Sequence, residues 1–256
     1  MATLGRSSNP VLGKNTFNAR TISGSVTNVM TLQGTVNKVF MMLGLVILAA
    51  FYTWNLFFQA GDMQSGANAV VPWLAGGGIG GFIFALITVF KRSWAPFTAP
   101  VYAVLEGLFL GGISAFFEAQ YPGIVIQAVG LTFGTLFSLL FAYKTGLIKA
   151  TENFKLGVVA ATGGIFLVYF VTFILNLFGV NVGFIHGNGI VAIGFSIFVV
   201  IIAALNLVLD FDFIEQGAEA SLPKYMEWYA AFGLIVTLIW LYIEFLRLLA
   251  KLNSRR

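Results

Sequence analysis

The chain alternates between long apolar runs and short polar connections. Seven runs are long enough to cross a membrane, which takes about 20 largely apolar residues in a helix. They cover approximately residues 38–58, 70–90, 96–118, 124–143, 157–178, 190–210 and 226–249. Pro96 suits the first turn of the third. Trp54, Trp73, Trp94 and Trp228 fall near run ends, where amphipathic rings favour the headgroup level. The connections are short, so successive helices are expected to lie antiparallel and adjacent. The pattern predicts an all-α, polytopic membrane bundle of seven transmembrane helices. Residues 1–35 form a polar cytoplasmic tail, 36–252 the transmembrane domain, and 253–256 a short basic tail.

Composition supports this reading. Of the 256 residues, 59% are hydrophobic and 9% are charged. A soluble domain carries about 25% charged residues, so this chain is an integral membrane protein with membrane lipid as its first partner. It has no cysteine, which removes disulfides, thiolate chemistry and Cys-ligated metals. One histidine, His186, excludes a His-rich metal site. The net charge of +4 does not point to nucleic acid. In a membrane protein, Lys and Arg mainly set topology.

Ten of the fourteen basic residues fall on one side if the helices alternate. They precede the first helix, follow the second and fourth, and lie between the sixth and seventh. Connections 59–69, 119–123 and 179–189 contain none. The positive-inside rule then makes the N-terminus cytoplasmic. Arg247, Lys251, Arg255 and Arg256 depart from the pattern. Either the rule is outvoted there, or the seventh helix is buried without a conventional crossing.

Two catalytic patterns fail on context. Gly76, Gly78 and Gly81 match G-x-G-x-x-G, but a dinucleotide loop must follow a strand and open a helix. Here the glycines lie inside an apolar run. Close helix packing is the better reading, shared by Gly107 with Gly111 and Gly130 with Gly134. Ser114 and His186 are the sole serine–base candidates for an intramembrane protease. One lies late in the third helix and the other in an external loop. The expectation is a non-enzyme without a bound cofactor.

The acids carry the functional signal. Six of the ten lie between Asn206 and Lys251: Asp210, Asp212, Glu215, Glu219, Glu227 and Glu244. A carboxylate in hydrocarbon costs about 3 kcal/mol on insertion scales. Such groups take a proton, find a cation or face water. Glu106, near the middle of the third helix, must face the bundle interior. It is either a protonated structural donor or part of a proton or cation relay. Asn206 and Asp210 share a helical face, whereas Asp210 and Asp212 point roughly 200° apart. Asp212, Glu215 and Glu219 lie nearer the cytoplasmic surface, where solvation alone accounts for them. Glu244 shares a face with Arg247, and an intrahelical ion pair would account for it.

The stretches Leu205–Glu215 (LNLVLDFDFIE) and LIWLYIEFLRLLAKL resemble the last two helices of the transmembrane Bax inhibitor motif family, bacterial branch. That family carries an Asp late in its sixth helix and a Leu-Tyr-x-Asp-Phe-x-x-Leu pattern in its seventh. Asp210 takes the first position and Glu244 the second. The segment 102–108 resembles the family's third helix. The resemblance implies a central seventh helix wrapped by the other six. It also implies a pH-sensitive calcium leak in a bacterial inner membrane, gated by paired carboxylates, with Ca²⁺ as the transported ion. Asp210 and Glu244 would meet the ion, and Glu106, Asp212 and Glu227 would be further ion- or proton-sensing acids. Lys91, Arg92 and Arg247 are candidates for a basic lock. Two departures stand out: Glu replaces Asp at 244, and the Asp210–Glu244 connection is longer than the family pattern. Glu227 is then an alternative partner for Asp210. A regulator that binds another membrane protein, without transport, is the competing function.

Overall fold

The computed structural model describes residues 28–179, 187 and 189–255. Seven long helices follow one another. They are α1 (Leu32–Gln59), α2 (Met63–Phe90), α3 (Ala95–Gln120), α4 (Ile124–Lys144), α5 (Glu152–Leu177), α6 (Ile190–Glu219) and α7 (Met226–Asn253). A single 3₁₀ turn, Arg92–Trp94, joins α2 to α3. All seven are long and apolar enough to span a membrane.

Several helices start earlier than their apolar runs. Polar caps, not hydropathy, set these starts. Thr31 Oγ1 accepts from Gly34 N at 3.0 Å and opens α1. Asp62 accepts from Ser65 N at 2.9 Å and opens α2. These bonds favour the ionised Asp62 and hold its carboxyl below the usual range. Thr151 opens α5 in the same way. The polar tail therefore ends sooner than residue 35. Asn28–Thr31 is already tied down, since Met30 N donates to Leu222 O at 2.7 Å and Lys224 N donates to Asn28 O at 2.9 Å. Residues 1–27 lie outside the described structure.

The core forms around α7. In its most apolar stretch 56% of residues are buried, against 17% in α1, α2 and α5. It packs on α1, α3, α4 and α6. Four of the expected six thus pack closely on it, and α5 reaches it through the hydrogen bond of Tyr169 to Glu244. Helix α2 packs chiefly on α3 and α1, and α5 chiefly on α6. Small residues create the closest approach. A Cβ on Gly107 would meet Val46 O at 2.5 Å, and one on Gly111 would meet Ala50 O at 2.1 Å. These glycines let α3 lie directly against α1. Gly130 and Gly134 correct the expectation: nothing stands within 4 Å of a Cβ on either, so α4 turns them away from the bundle. In α2, Gly77 and Gly81 make the close contacts and Gly76 does not.

Helix α7 crosses the whole bundle. Its first residues adjoin Met30, at the start of α1. Near its other end, Lys251 Nζ donates to Ser196 Oγ at 2.8 Å and to Ala192 O at 3.2 Å, beside the start of α6. Helix α7 is thus buried and runs from one end of the bundle to the other.

Candidate functional site

Three acids on or against α7 lie at three depths, each in a different environment. Glu227, in the first turn, is fully buried. Its Oε1 accepts from Thr31 N and Thr31 Oγ1, both at 2.9 Å, and from Lys224 Nζ at 2.8 Å. Its Oε2 accepts from Lys38 Nζ at 2.6 Å. Two cations and two neutral donors therefore saturate this carboxylate. It joins the start of α1 to the α6–α7 connection. Gly34 makes room for it, because a Cβ there would lie 2.0 Å from Oε1. This arrangement rules Glu227 out as the partner of Asp210.

Asp210 lies on α6 where that helix passes Gly233 and Thr237 of α7. Its Oδ1 would stand 3.7 Å from a Cβ on Gly233. Its Oδ2 is buried and accepts no hydrogen bond. Thr237 Oγ1, which lines the same space, donates to its own helix at Gly233 O, 3.2 Å away. A cavity of about 890 Å³ opens in front of Asp210, bounded by α2, α3, α6 and α7. Asn206, Tyr102 and Glu106 also line it. Asn206 and Asp210 do share a face, and Asn206 Nδ2 donates to Thr162 Oγ1 at 2.9 Å and Ile202 O at 2.8 Å. Glu106 reaches across from α3 to Gly81 of α2, where a Cβ would come within 2.7 Å of its Oε1. Glycine at 81 therefore leaves the carboxylate its space.

Glu244 is also buried, at 1% exposure. Arg247 Nη1 donates to its Oε1 at 3.1 Å, which is the intrahelical pair that the spacing allowed. Tyr169 Oη of α5 bridges both carboxylate oxygens at 3.1 and 3.2 Å. The Arg247 guanidinium also stacks over the Tyr169 ring, 5.5 Å from its centroid. Glu244 stands eleven residues beyond Gly233, which is about 16 Å along the axis at 1.5 Å per residue. The structure therefore does not bring Asp210 and Glu244 together. At the level of Asp210, α7 presents a glycine and a threonine, and not Glu244. Among the described residues no three acids or histidines converge as metal ligands would.

The remaining candidates have separate settings. Asp212 points away from Asp210, as the 200° offset requires, and pairs with Lys155 at 2.9 Å and Gln216 at 2.7 Å. Glu215 accepts from Tyr143 Oη. Lys91 stacks on Trp94 at 4.5 Å, and Arg92 on Tyr229 at 5.3 Å. Among the described residues neither makes an ion pair with Asp210 or Glu244. Ser114 Oγ is hydrogen-bonded to Tyr242 Oη at 2.7 Å. His186 lies outside the described residues. Sequence reasoning missed Thr31, Lys38 and Tyr169, which reach their acids from distant helices. The i,i+3 spacing of Lys224 and Glu227 was the one visible signal of the Glu227 hub.

The fold and its acids define a seven-helix integral membrane protein whose axial helix meets carboxylates at three depths. The family described as Bax inhibitor 1 like has a model that matches residues 9–254, and the chain belongs to that family. Comparisons with curated proteins and with solved structures gave no significant match.

Proposed function

We propose that the protein is a passive, pH-sensitive leak for Ca²⁺, with the cavity in front of Asp210 and Glu106 as its central compartment. One observation carries this reading: Asp210 lines that cavity, and its buried Oδ2 accepts no hydrogen bond. A carboxylate with an unpartnered oxygen in a low-dielectric setting favours neutralisation by a proton or by a cation. The two compete for the same oxygen, and that competition supplies the pH sensitivity. Ca²⁺ takes six to eight oxygen ligands. Two separated acids do not replace its hydration shell, so the ion would keep most of its waters. Weak binding of this kind suits passage rather than storage.

The test is reconstitution of the full chain into liposomes loaded with a Ca²⁺ indicator, over roughly pH 5 to 8, the range of raised carboxylate pKa values. Flux that changes with pH, and that Glu106→Gln alters while the protein still folds, is the expected result. The swap keeps size and hydrogen bonding while removing the charge. Absence of flux at every pH would overturn the leak and favour a non-transporting regulator that binds another membrane protein. The proposed setting is a bacterial inner membrane with the basic end in the cytoplasm. Lys149→Cys, placed in this cysteine-free chain, should then react with an impermeant thiol reagent only after the cells are opened.

A further inference from the structure

A second cavity, of about 370 Å³, lies on a neighbouring face of α7 and shares only Ile239 of its lining with the acid-lined one. Its floor is Val46, Leu110, Ile235 and Leu238, all buried. Its rim is formed by Ile47 and Phe51 of α1, which are 58% and 63% exposed, facing Val129 and Phe133 of α4. Helices α1 and α4 flank the slot without packing closely on one another. The slot therefore opens sideways, within the membrane-spanning part of the bundle. Along α1 it runs from Leu43 to Trp54, about 16 Å at 1.5 Å per residue.

The lining identifies the occupant. No lining residue is charged. Its hydroxyl groups are satisfied within the protein: Ser114 bonds Tyr242 at 2.7 Å, and Thr132 donates to Ala128 O at 2.8 Å. A polar small molecule would find none of the placed polar groups that orient such ligands. Vacancy is also unfavourable, since void linings lose their dispersion contacts. An apolar cavity of ~150 Å³ already stays dry and takes up benzene. We propose that this slot is a binding site for one acyl chain of a membrane phospholipid, which enters between α1 and α4 and lies along α7. The site is independent of the leak reading, because none of the three α7-associated acids borders it.

Native mass spectrometry of the full chain, extracted from dioleoylphosphatidylcholine vesicles into detergent, tests the proposal. The unmodified protein should retain one phospholipid per chain. Val129→Cys should retain it too, and reaction of that thiol with an octyl methanethiosulfonate should lower retention at least about tenfold. The plug is added after folding, so misfolding does not produce the loss. Val159→Cys on α5, at an outward position 59% exposed in the native protein, should keep its lipid after the same reaction. A protein that retains no lipid, equal retention after the Val129→Cys adduct forms, loss from the Val159→Cys adduct as well, or a lipid-free dimer would each overturn the acyl-chain site.

Discussion

Glu227, fully buried, and Asp210, half-buried, both lie against α7, and they show two ways of keeping an acid inside a membrane protein. Glu227 is surrounded by donors: Lys38, Lys224 and both polar groups of Thr31. Asp210 faces a cavity and leaves one oxygen without a partner. The first arrangement fixes helices to one another. Breaking a buried ion pair leaves stranded charge, and the cost falls on folding. The second fixes little and leaves an unpartnered oxygen beside the cavity. Glu244 is an intermediate case, held by one cation, Arg247, and one neutral donor, Tyr169. One helix thus separates a structural acid from a candidate functional acid by about 9 Å, the rise from Glu227 to Gly233.

The largest expected effect tests the structural half of that contrast. Glu227→Ala removes the acceptor shared by the start of α1 and the α6–α7 connection. It should cost about 3–5 kcal/mol, the range for a broken buried pair, read as a lower melting temperature in detergent. A loss below about 1 kcal/mol would mean that the hub carries no more than a surface pair does.

The next effect comes from the neighbour that makes room. Gly34→Ala places a methyl group 2.0 Å from Glu227 Oε1. The overpacking should cost about 1–3 kcal/mol. If the clash is with this carboxylate, the Gly34→Ala and Glu227→Ala costs should not add, because contacting residues couple. Strict additivity in the double mutant would place the strain elsewhere.

The Glu244 end sharpens the comparison further. Tyr169→Phe deletes the hydroxyl that bridges both Glu244 oxygens while Arg247 stays in place. The cost should be about 1–3 kcal/mol, as for a hydrogen bond to a charged group. No change in melting temperature would show that Arg247 alone is sufficient for Glu244.

How much of this was legible in the chain follows from the range of each interaction. Hydropathy marks burial in lipid residue by residue, so all seven helices were visible. Their true starts depended on local caps such as Thr31 and Asp62, which lie outside the apolar runs. The face shared by Asn206 and Asp210, and the Glu244–Arg247 pair, followed from helical periodicity within one element. What periodicity does not contain is the vertical offset between two helices. In this fold Gly233 and Thr237 stand at the level of Asp210, where the resemblance had placed Glu244. Nor could it reveal that Lys38, 189 positions from Glu227, would reach it. The glycines divide in the same way. Spacing alone treated Gly107 with Gly111 and Gly130 with Gly134 alike, yet only the first pair lies at a helix crossing.

The smallest stability effect belongs to Asp210, and it tests the functional half of the contrast. Asp210→Asn keeps the size of the side chain and removes its formal charge. Because Oδ2 has no partner to lose, the melting temperature should stay within the equivalent of about 1 kcal/mol, or rise as a desolvated charge is relieved. Flux should respond differently. Two unit charges 4 Å apart attract by about 1 kcal/mol in water and about 4 kcal/mol at an effective dielectric constant of 20. Losing that attraction should reduce Ca²⁺ passage at least about fivefold at the pH of highest flux. The pH dependence that remains should then be due to Glu106. A variant that loses stability as heavily as Glu227→Ala while passing Ca²⁺ normally would reverse the roles assigned to the two acids.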